Sequence, residues 1–429
     1  MQIKYIYRLL PVLIFMALPS QLLANQPAVL DSLINQAVAN NPDLQTAEYH
    51  VQAARSMVKS EGWLPDPNLT IALSNLPKSS LALDQTPMSG IALNFSQKIP
   101  WPGKLANKKG LANLQVDEYG YAESAWKNTL VKEVKSTYFE YSYWSLTGDV
   151  IDHNIELMKQ LVDVAQTKYA NGEGLAQDVL NAQTSLAKLV DRKQNVIKMQ
   201  TTALARLNIL LNEPAYEIKK IPAQLNDDKL DSLNIDSLVT IADGSNPNLQ
   251  MSKVKIAQGQ KKKALARSDY WPDLMLGFEY RIREKVPMDP VNGEDFVSGF
   301  AGISLPLWFW KTQNNKLASA GEELAAAKSM DEANRLKVEY QITDAVLNIK
   351  RKYDSYEYYK DTIIPQAEAA LESSNIAYQV GKVDFLNLIT AQMRLFELQI
   401  DNLGNLKDYN VQLAALDELV GRQIERLER

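Results

Sequence analysis

Few side chains in this sequence could do covalent or metal chemistry. The 429 residues include no cysteine and only two histidines, His50 and His153. Disulfides, thiolate nucleophiles and histidine-rich metal sites are therefore ruled out. No glycine-rich phosphate loop, nucleophile elbow or metal-ligand spacing occurs in the chain, so it reads as neither an enzyme nor a cofactor binder. Lys261-Lys262-Lys263 reads as a solvated helix face, and Tyr353, Tyr356 and Tyr359 read as interhelical packing. What remains is backbone chemistry at two turns. Tyr169-Ala-Asn-Gly172 and Tyr378-Gln-Val-Gly381 each place a glycine at the end of a helical pattern. A tight turn between antiparallel helices needs a residue that takes positive φ at low cost, and glycine does.

Those two turns belong to a chain written twice. Tyr169, Gly172, Ala182-Gln183 and Leu186 recur as Tyr378, Gly381, Ala391-Gln392 and Leu395, a displacement of 209. Asn41-Pro-Asp-Leu44 recurs as Asn246-Pro-Asn-Leu249, and Leu64-Pro-Asp66 as Trp271-Pro-Asp273. Gly90-Ile-Ala-Leu93 matches Gly302-Ile-Ser-Leu305, and Lys104-Leu105 matches Lys316-Leu317. Matches in one order at nearly constant displacement indicate an internal repeat. The first copy spans residues 25–212 and the second 238–429, joined by a linker at 213–237. Ahead of them, Lys4, Arg8 and the apolar run Leu9 to Leu18 read as a signal peptide over residues 1–24. The alternative, an N-terminal anchor, has too short an apolar run to span a bilayer. The net charge is −5, and it becomes −7 once Lys4 and Arg8 are removed. An acidic exported chain is not suited to nucleic acid.

Within each copy the periodicity changes character. Val29 to Gly62 reads as helix. A hairpin follows at 68–98, where Leu69, Ile71 and Leu73, then Ile91, Leu93 and Phe95, alternate with small or polar residues. In the second copy the hairpin covers 273–308, with Leu274, Leu276, Phe278 and Tyr280 on one strand and Ile303, Leu305 and Leu307 on the other. Gly103 to Tyr169 holds no proline, and a continuous helix there would measure roughly 100 Å. The returning helix spans about Gln177 to Leu211. Leu406, Tyr409, Leu413, Leu416 and Val420 form a coiled-coil seam.

Strands of this length and alternation suit a transmembrane barrel, and equally a small soluble β-domain capping a helical bundle. Export and position favour the membrane. Five of the seven tryptophans, Trp63, Trp101, Trp271, Trp308 and Trp310, border the strands, as in an interfacial belt. Four strands cannot close a barrel in lipid, so several chains must pool them; three copies would give twelve. Pro100, Trp101, Pro102 and Gly103, with Pro306, Trp308 and Trp310 in the second copy, mark the joint between strand and rod. Pro100 cannot donate to a ladder, and Pro102 suits the first turn of the next helix.

Two copies of helix, hairpin and long helical hairpin behind a signal peptide resemble the TolC-type outer membrane efflux protein family over the whole mature chain. The resemblance implies a mainly α fold with a small β part. Four transmembrane β-strands per chain would pool in a trimeric 12-stranded barrel above a long α-helical periplasmic tunnel. It implies a homotrimer seated in outer membrane lipid, a periplasmic adaptor, and an inner-membrane RND-type pump. By the family pattern, the turn residues Tyr169, Gly172, Leu180, Ala182, Tyr378, Gly381, Ile389 and Ala391 dock the adaptor. The pore constriction falls at Asp178, Asp384, Asn387 and Thr390. Asp178 matches a family acid that helps hold the tip closed. Asn387 and Thr390 stand where the family carries an acidic ring, so the entrance is expected to be less acidic. Asp384 serves either as a replacement charge or as a helix N-cap. Gln97-Lys-Ile-Pro-Trp-Pro-Gly-Lys104 looks like the branch serving cobalt-zinc-cadmium and copper-silver pumps. The chain departs from lipid-anchored members in having no N-terminal cysteine. The alternatives are a type I secretion or drug efflux channel of the same family, and a soluble periplasmic helical scaffold.

Overall fold

The structure is a computed structural model describing residues 26–230 and 233–423. The expected signal peptide lies outside the described residues. Helix α1 (Gln26–Asn40) is followed by α2 (Pro42–Glu61), strands β1 (Asn68–Ser74) and β2 (Gly90–Ile99), and the long pair α3 (Lys104–Ala170) and α4 (Ala176–Leu210). The second copy contains α5 (Ile235–Ser245), α6 (Pro247–Ser268), β3 (Leu274–Ile282), β4 (Phe296–Ile303), α7 (Gln313–Tyr358), α8 (Ile364–Gln379) and α9 (Phe385–Val420).

The single helix expected over Val29 to Gly62 is two helices, broken at Asn41. A residue before proline is pushed out of the helical region, and Asn41 takes φ −69 and ψ 124. Its side chain then accepts the free N–H groups of Asp43 and Leu44. Asn246 does the same for Asn248 and Leu249, separating α5 from α6. α3 is continuous over 67 residues, as its lack of proline allows. The matching rod in the second copy is interrupted. Pro365 cannot donate, and a π-helical turn at Tyr359–Ile363 closes just before it through Ile364 N–H to Tyr359 O.

The strands form one antiparallel sheet in the order β1-β2-β3-β4, so the two hairpins join through β2 and β3. Ile71, Leu93, Tyr280 and Val297 stand in register on one face. That face is bare: Leu69, Ile71 and Leu73 are 67%, 69% and 65% exposed. Thr70, Asn94, Glu279 and Ser298 line the other, where Arg281 pairs with Glu279 at 2.7 Å. Two corrections follow from the register. β4 ends at Ile303, so Leu305 and Leu307 lie beyond it in a turn, and the second hairpin is shorter than 273–308. Gly90 opens β2 whereas Gly302 lies one residue from the end of β4, so that sequence match joins opposite strand ends.

The rods pack as a row, with α4 on α3, α3 on α9 and α9 on α7. The expected seam on α9 is buried at Leu406, Tyr409, Leu416 and Val420, and Leu413 packs against the same core. The linker crosses this row as a strap tied by side chains beneath it. Tyr138 donates to Pro222 O at 2.9 Å, Tyr141 to Ile221 O at 3.2 Å and Tyr409 to Asp228 O at 2.8 Å. Asn410 accepts from Asn226 N–H at 3.2 Å and donates to Asn226 O at 2.8 Å, imitating a strand partner. Tyr353 and Tyr356 bond Asp227 through their hydroxyls, so they fasten the strap as well as pack. Tyr359 begins the π-helical turn instead.

Asn410 is buried and holds both backbone polar groups of Asn226. Its replacement by Ala leaves them without that partner, a cost of about 1–3 kcal/mol. Asn410→Ala is expected to lower the thermal midpoint and open the strap to proteolysis near Asn226. An unchanged midpoint and digestion pattern would show that the strap is held elsewhere.

Candidate functional site

At the far end of the rods the two turns are built alike, residue for residue. α3 ends in Gly172 at φ 76 and α8 in Gly381 at φ 72. Gly172 N–H donates to Tyr169 O and Glu173 N–H to Lys168 O, closing the last turn of α3. Gly381 N–H to Tyr378 O and Lys382 N–H to Ala377 O repeat the pattern. These paired bonds satisfy carbonyls that a helix end leaves open. The returning helices start with Asp178 N–H on Leu175 O and Asn387 N–H on Asp384 O.

Side chains at equivalent positions then part company. Tyr169 is exposed, whereas Tyr378 is buried against Phe385, ring centroids 5.1 Å apart. Lys168 from the first turn reaches across, donating to Tyr378 O at 3.1 Å with its ammonium 4.1 Å from the Tyr378 ring. Burial, with the Asp178 carboxylate adding to it, pushes the Tyr378 hydroxyl above its ordinary pKa. Leu180 is exposed and Ala391 half-buried, whereas Ala182 and Ile389 are buried. Ala182, Tyr378 and Ile389 therefore hold the tip together from inside, and only the other turn residues present a surface. Asp384, Asn387 and Thr390 are exposed, three residues apart at the start of α9. Asp384 occupies the N-cap position without a side-chain cap bond, so its carboxylate remains an exposed charge. Thr390 donates its hydroxyl to Leu386 O.

At the other end, the joint between sheet and rods centres on Asp273, a residue that reading the sequence did not single out. Its Oδ1 accepts Trp101 N–H at 3.0 Å and the Lys104 ammonium at 2.8 Å. Lys98 reaches its Oδ2 at 3.1 Å. Above these bonds Trp101 stacks on Trp271, centroids 4.9 Å apart and planes within 10°. The joint of the first copy is thus locked onto the second. In the sequence Asp273 stands out only as part of the repeat of Leu64-Pro-Asp66 by Trp271-Pro-Asp273. Its partners could not be seen, because 172 residues separate Asp273 from Trp101. Pro100 ends the ladder of β2, but Pro102 is not in the first helical turn. Gly103 takes φ 94 at the cap position and Lys104 opens α3. In the second copy Trp308 and Trp310 are 65% and 54% exposed, beyond half-buried Pro306.

No helix among the described residues is long and apolar enough to cross a membrane. Among the described residues, no group of three or more His, Asp or Glu is placed to hold a metal ion.

Burial raises the Asp273 pKa, but Lys104, Trp101 N–H and Lys98 outweigh it and hold the carboxyl at about 2. Because the folded value lies below the ordinary 3.8, its stabilisation is complete above that pH and is lost as pH falls through 2. The near-ultraviolet circular dichroism of the stacked Trp101–Trp271 pair is expected to persist at pH 4 and fade toward pH 2. Asp273→Asn should weaken it at every pH; an unchanged signal in that variant would remove Asp273 from the joint.

The family model described as outer membrane efflux protein matches residues 33–213 and 238–422, the two copies in turn. The chain is 23% identical to the outer membrane protein TolC of Vibrio cholerae, over 98% of this chain and 96% of that one. It is 25% identical to the cobalt-zinc-cadmium resistance protein CzcC of Cupriavidus metallidurans, over 47% of this chain and 46% of that one. Among solved structures, the outer membrane protein VceC of Vibrio cholerae superposes with a TM-score of 0.77 at 17% identity, covering 92% of this chain and 96% of that one. CusC superposes equally well, at 0.77 and 17%, covering 92% of each.

Proposed function

The chain belongs to the outer membrane efflux protein family, and we propose that three copies form a passive conduit gated at the helical tips. It is an outer membrane channel with a large periplasmic helical portion, not an enzyme. One observation carries the proposal. A four-stranded sheet with a bare apolar face and two unpaired edges is joined directly to a 67-residue rod. Lipid does not tolerate open edges, so the strands must be completed by other copies. The rods then extend the resulting barrel into the periplasm.

The exposed tip residues Tyr169, Gly172, Leu180 and Gly381, with half-buried Ala391, form the docking face for a periplasmic adaptor linked to an inner-membrane RND-type pump. Asp178, Asp384, Asn387 and Thr390 line the entrance behind it. Heavy-metal cations are the proposed cargo, supported by the Gln97 to Lys104 segment and the similarity to CzcC. A drug efflux or type I secretion role is the competing one within the family. Loss of the gene product should sensitise cells to cobalt, zinc, cadmium, copper or silver. Unchanged metal sensitivity with raised drug sensitivity would decide for the competitor.

Gly172→Val and Gly381→Val each force a β-branched residue into positive φ, which costs about 1–3 kcal/mol of local strain. Each is expected to abolish efflux while leaving heat-modifiable migration of the barrel intact. Normal efflux in both would remove the tips as docking sites. Asn387→Asp places a carboxylate in the entrance. It is expected to shift the reversal potential of single channels toward cation selectivity, and no shift would place Asn387 away from the pore.

A further inference from the structure

On the side of the sheet away from the rods, two loops join the strands, 75–89 between β1 and β2 and 283–295 between β3 and β4. They are closed by different chemistry. The first is pinned at its base, where Asn75 donates to Met88 O at 3.1 Å and Ser89 to Asn75 O at 2.9 Å. Leu81, near its middle, is 81% exposed. The second has a buried ionic core. Arg283 donates to the Asp289 carboxylate, and the two side chains are 0% and 1% exposed. Asp289 also accepts Gly293 N–H at 2.8 Å and Val291 N–H at 3.3 Å, while Arg283 donates to Glu294 O at 3.2 Å. Gly293 takes φ 80, and a Cβ there would stand 2.8 Å from Lys285 Cα, so the loop is folded back on its own start.

The strand register shows which way this loop leans. Phe296 pairs with Arg281, and Ser298 with Glu279, so Phe296 stands on the polar face of the sheet. The Arg283 guanidinium lies 4.0 Å from the Phe296 ring, on that same face. Asp289, six residues further along, is drawn to the guanidinium, and the loop therefore bends over the polar face and away from the apolar one. With the apolar face against lipid, the polar face is the wall of the bore. We propose that 283–295 is an inward-turned lid at the outer mouth of the channel, latched by Arg283 and Asp289. Three such lids narrow the outlet against bulky solutes from outside while ions and small cargo pass. The latch is internal to one loop, at the opposite end of the molecule from the tip turns, so this constriction is separate from the gate at the tips. Removing one partner leaves the other charge buried and unpaired, which is why the loop holds only while both are present.

The inference rests on the membrane reading above, and the test separates the two. Since the chain has no cysteine, Ser298→Cys on the bore wall and Ser79→Cys on the first loop each supply a single thiol. In intact cells a small maleimide should label both. A maleimide carried on a long polyethylene glycol should label Ser79→Cys freely and Ser298→Cys roughly tenfold more slowly. Breaking a buried pair shifts a closed lid toward open by more than that factor. Asp289→Ala should therefore bring Ser298→Cys up to the Ser79→Cys rate, with heat-modifiable migration unchanged. Equal rates for the long reagent with the native loop overturn the lid, and a slow rate that Asp289→Ala leaves unchanged overturns the latch. Ser298→Cys closed even to the small reagent overturns its place on the bore. Ser79→Cys unlabelled from outside overturns the membrane reading itself. If Asp289→Ala does not reach the membrane, trypsin on intact cells carrying the native loop decides. Cleavage at exposed Lys78 with Lys285 left uncut supports the latched lid, and equal cleavage at both overturns it.

Discussion

A backbone N–H or C=O facing lipid without a partner costs several kcal/mol, and this chain has two strand edges in that position. β1 and β4 are each paired on one side only. Nothing on the apolar face compensates, since that face is suited to lipid and not to another layer of the same chain. The sheet is therefore a fragment of a closed structure, and the rest of the molecule is organised around completing it. The strands are short because they need only cross a bilayer. The rods follow after short irregular joints, α3 starting five residues beyond the end of β2 and α7 ten beyond the end of β4.

The exit from the sheet shows how an internal repeat becomes one body. Asp273 and Trp271 stand just ahead of β3, while Trp101 and Lys104 follow β2, and together they bind the end of one hairpin to the start of the other. Lys104 is buried, so the ion pair is little screened by salt, and removing one partner would leave the other charge buried and unpaired. The strap below makes a second tie. Hydroxyl and amide groups satisfy the backbone of this irregular segment, and the exposed pairs Lys229 with Glu357 and Lys360 with Asp227 add to them.

The two copies agree in backbone and differ in side chains where they do different work. Both tips end in the same glycine-closed turn. Yet Tyr169 is left outside while Tyr378 is drawn under Lys168, so one tip supports the other. The straight α3 and the rod interrupted before Pro365 differ similarly. Duplication supplied a common frame, and substitutions at equivalent positions made it asymmetric.

Local chemistry was legible in the sequence. Period 2 and period 3.6 marked strands and rods, Gly172 and Gly381 announced positive φ, and proline marked where β2 ends. Each depends on the residue and its near neighbours. Boundaries differ from the periodicity where a neighbour overrides it, as at Asn41 before Pro42, or where alternation outruns the ladder, as at Leu305 and Leu307. Contacts between distant residues could not be read. Asp273 meets Trp101, Asn410 meets Asn226, and Ala182, Tyr378 and Ile389 turn inward, because packing selects one partner among many of similar chemistry. The sequence alone therefore determined the elements, their duplication and, if the strands lie in lipid, the need for further copies to close a barrel. Only the tertiary structure decided which side chains face each other, since that choice is made by geometry across the chain and leaves no period in it.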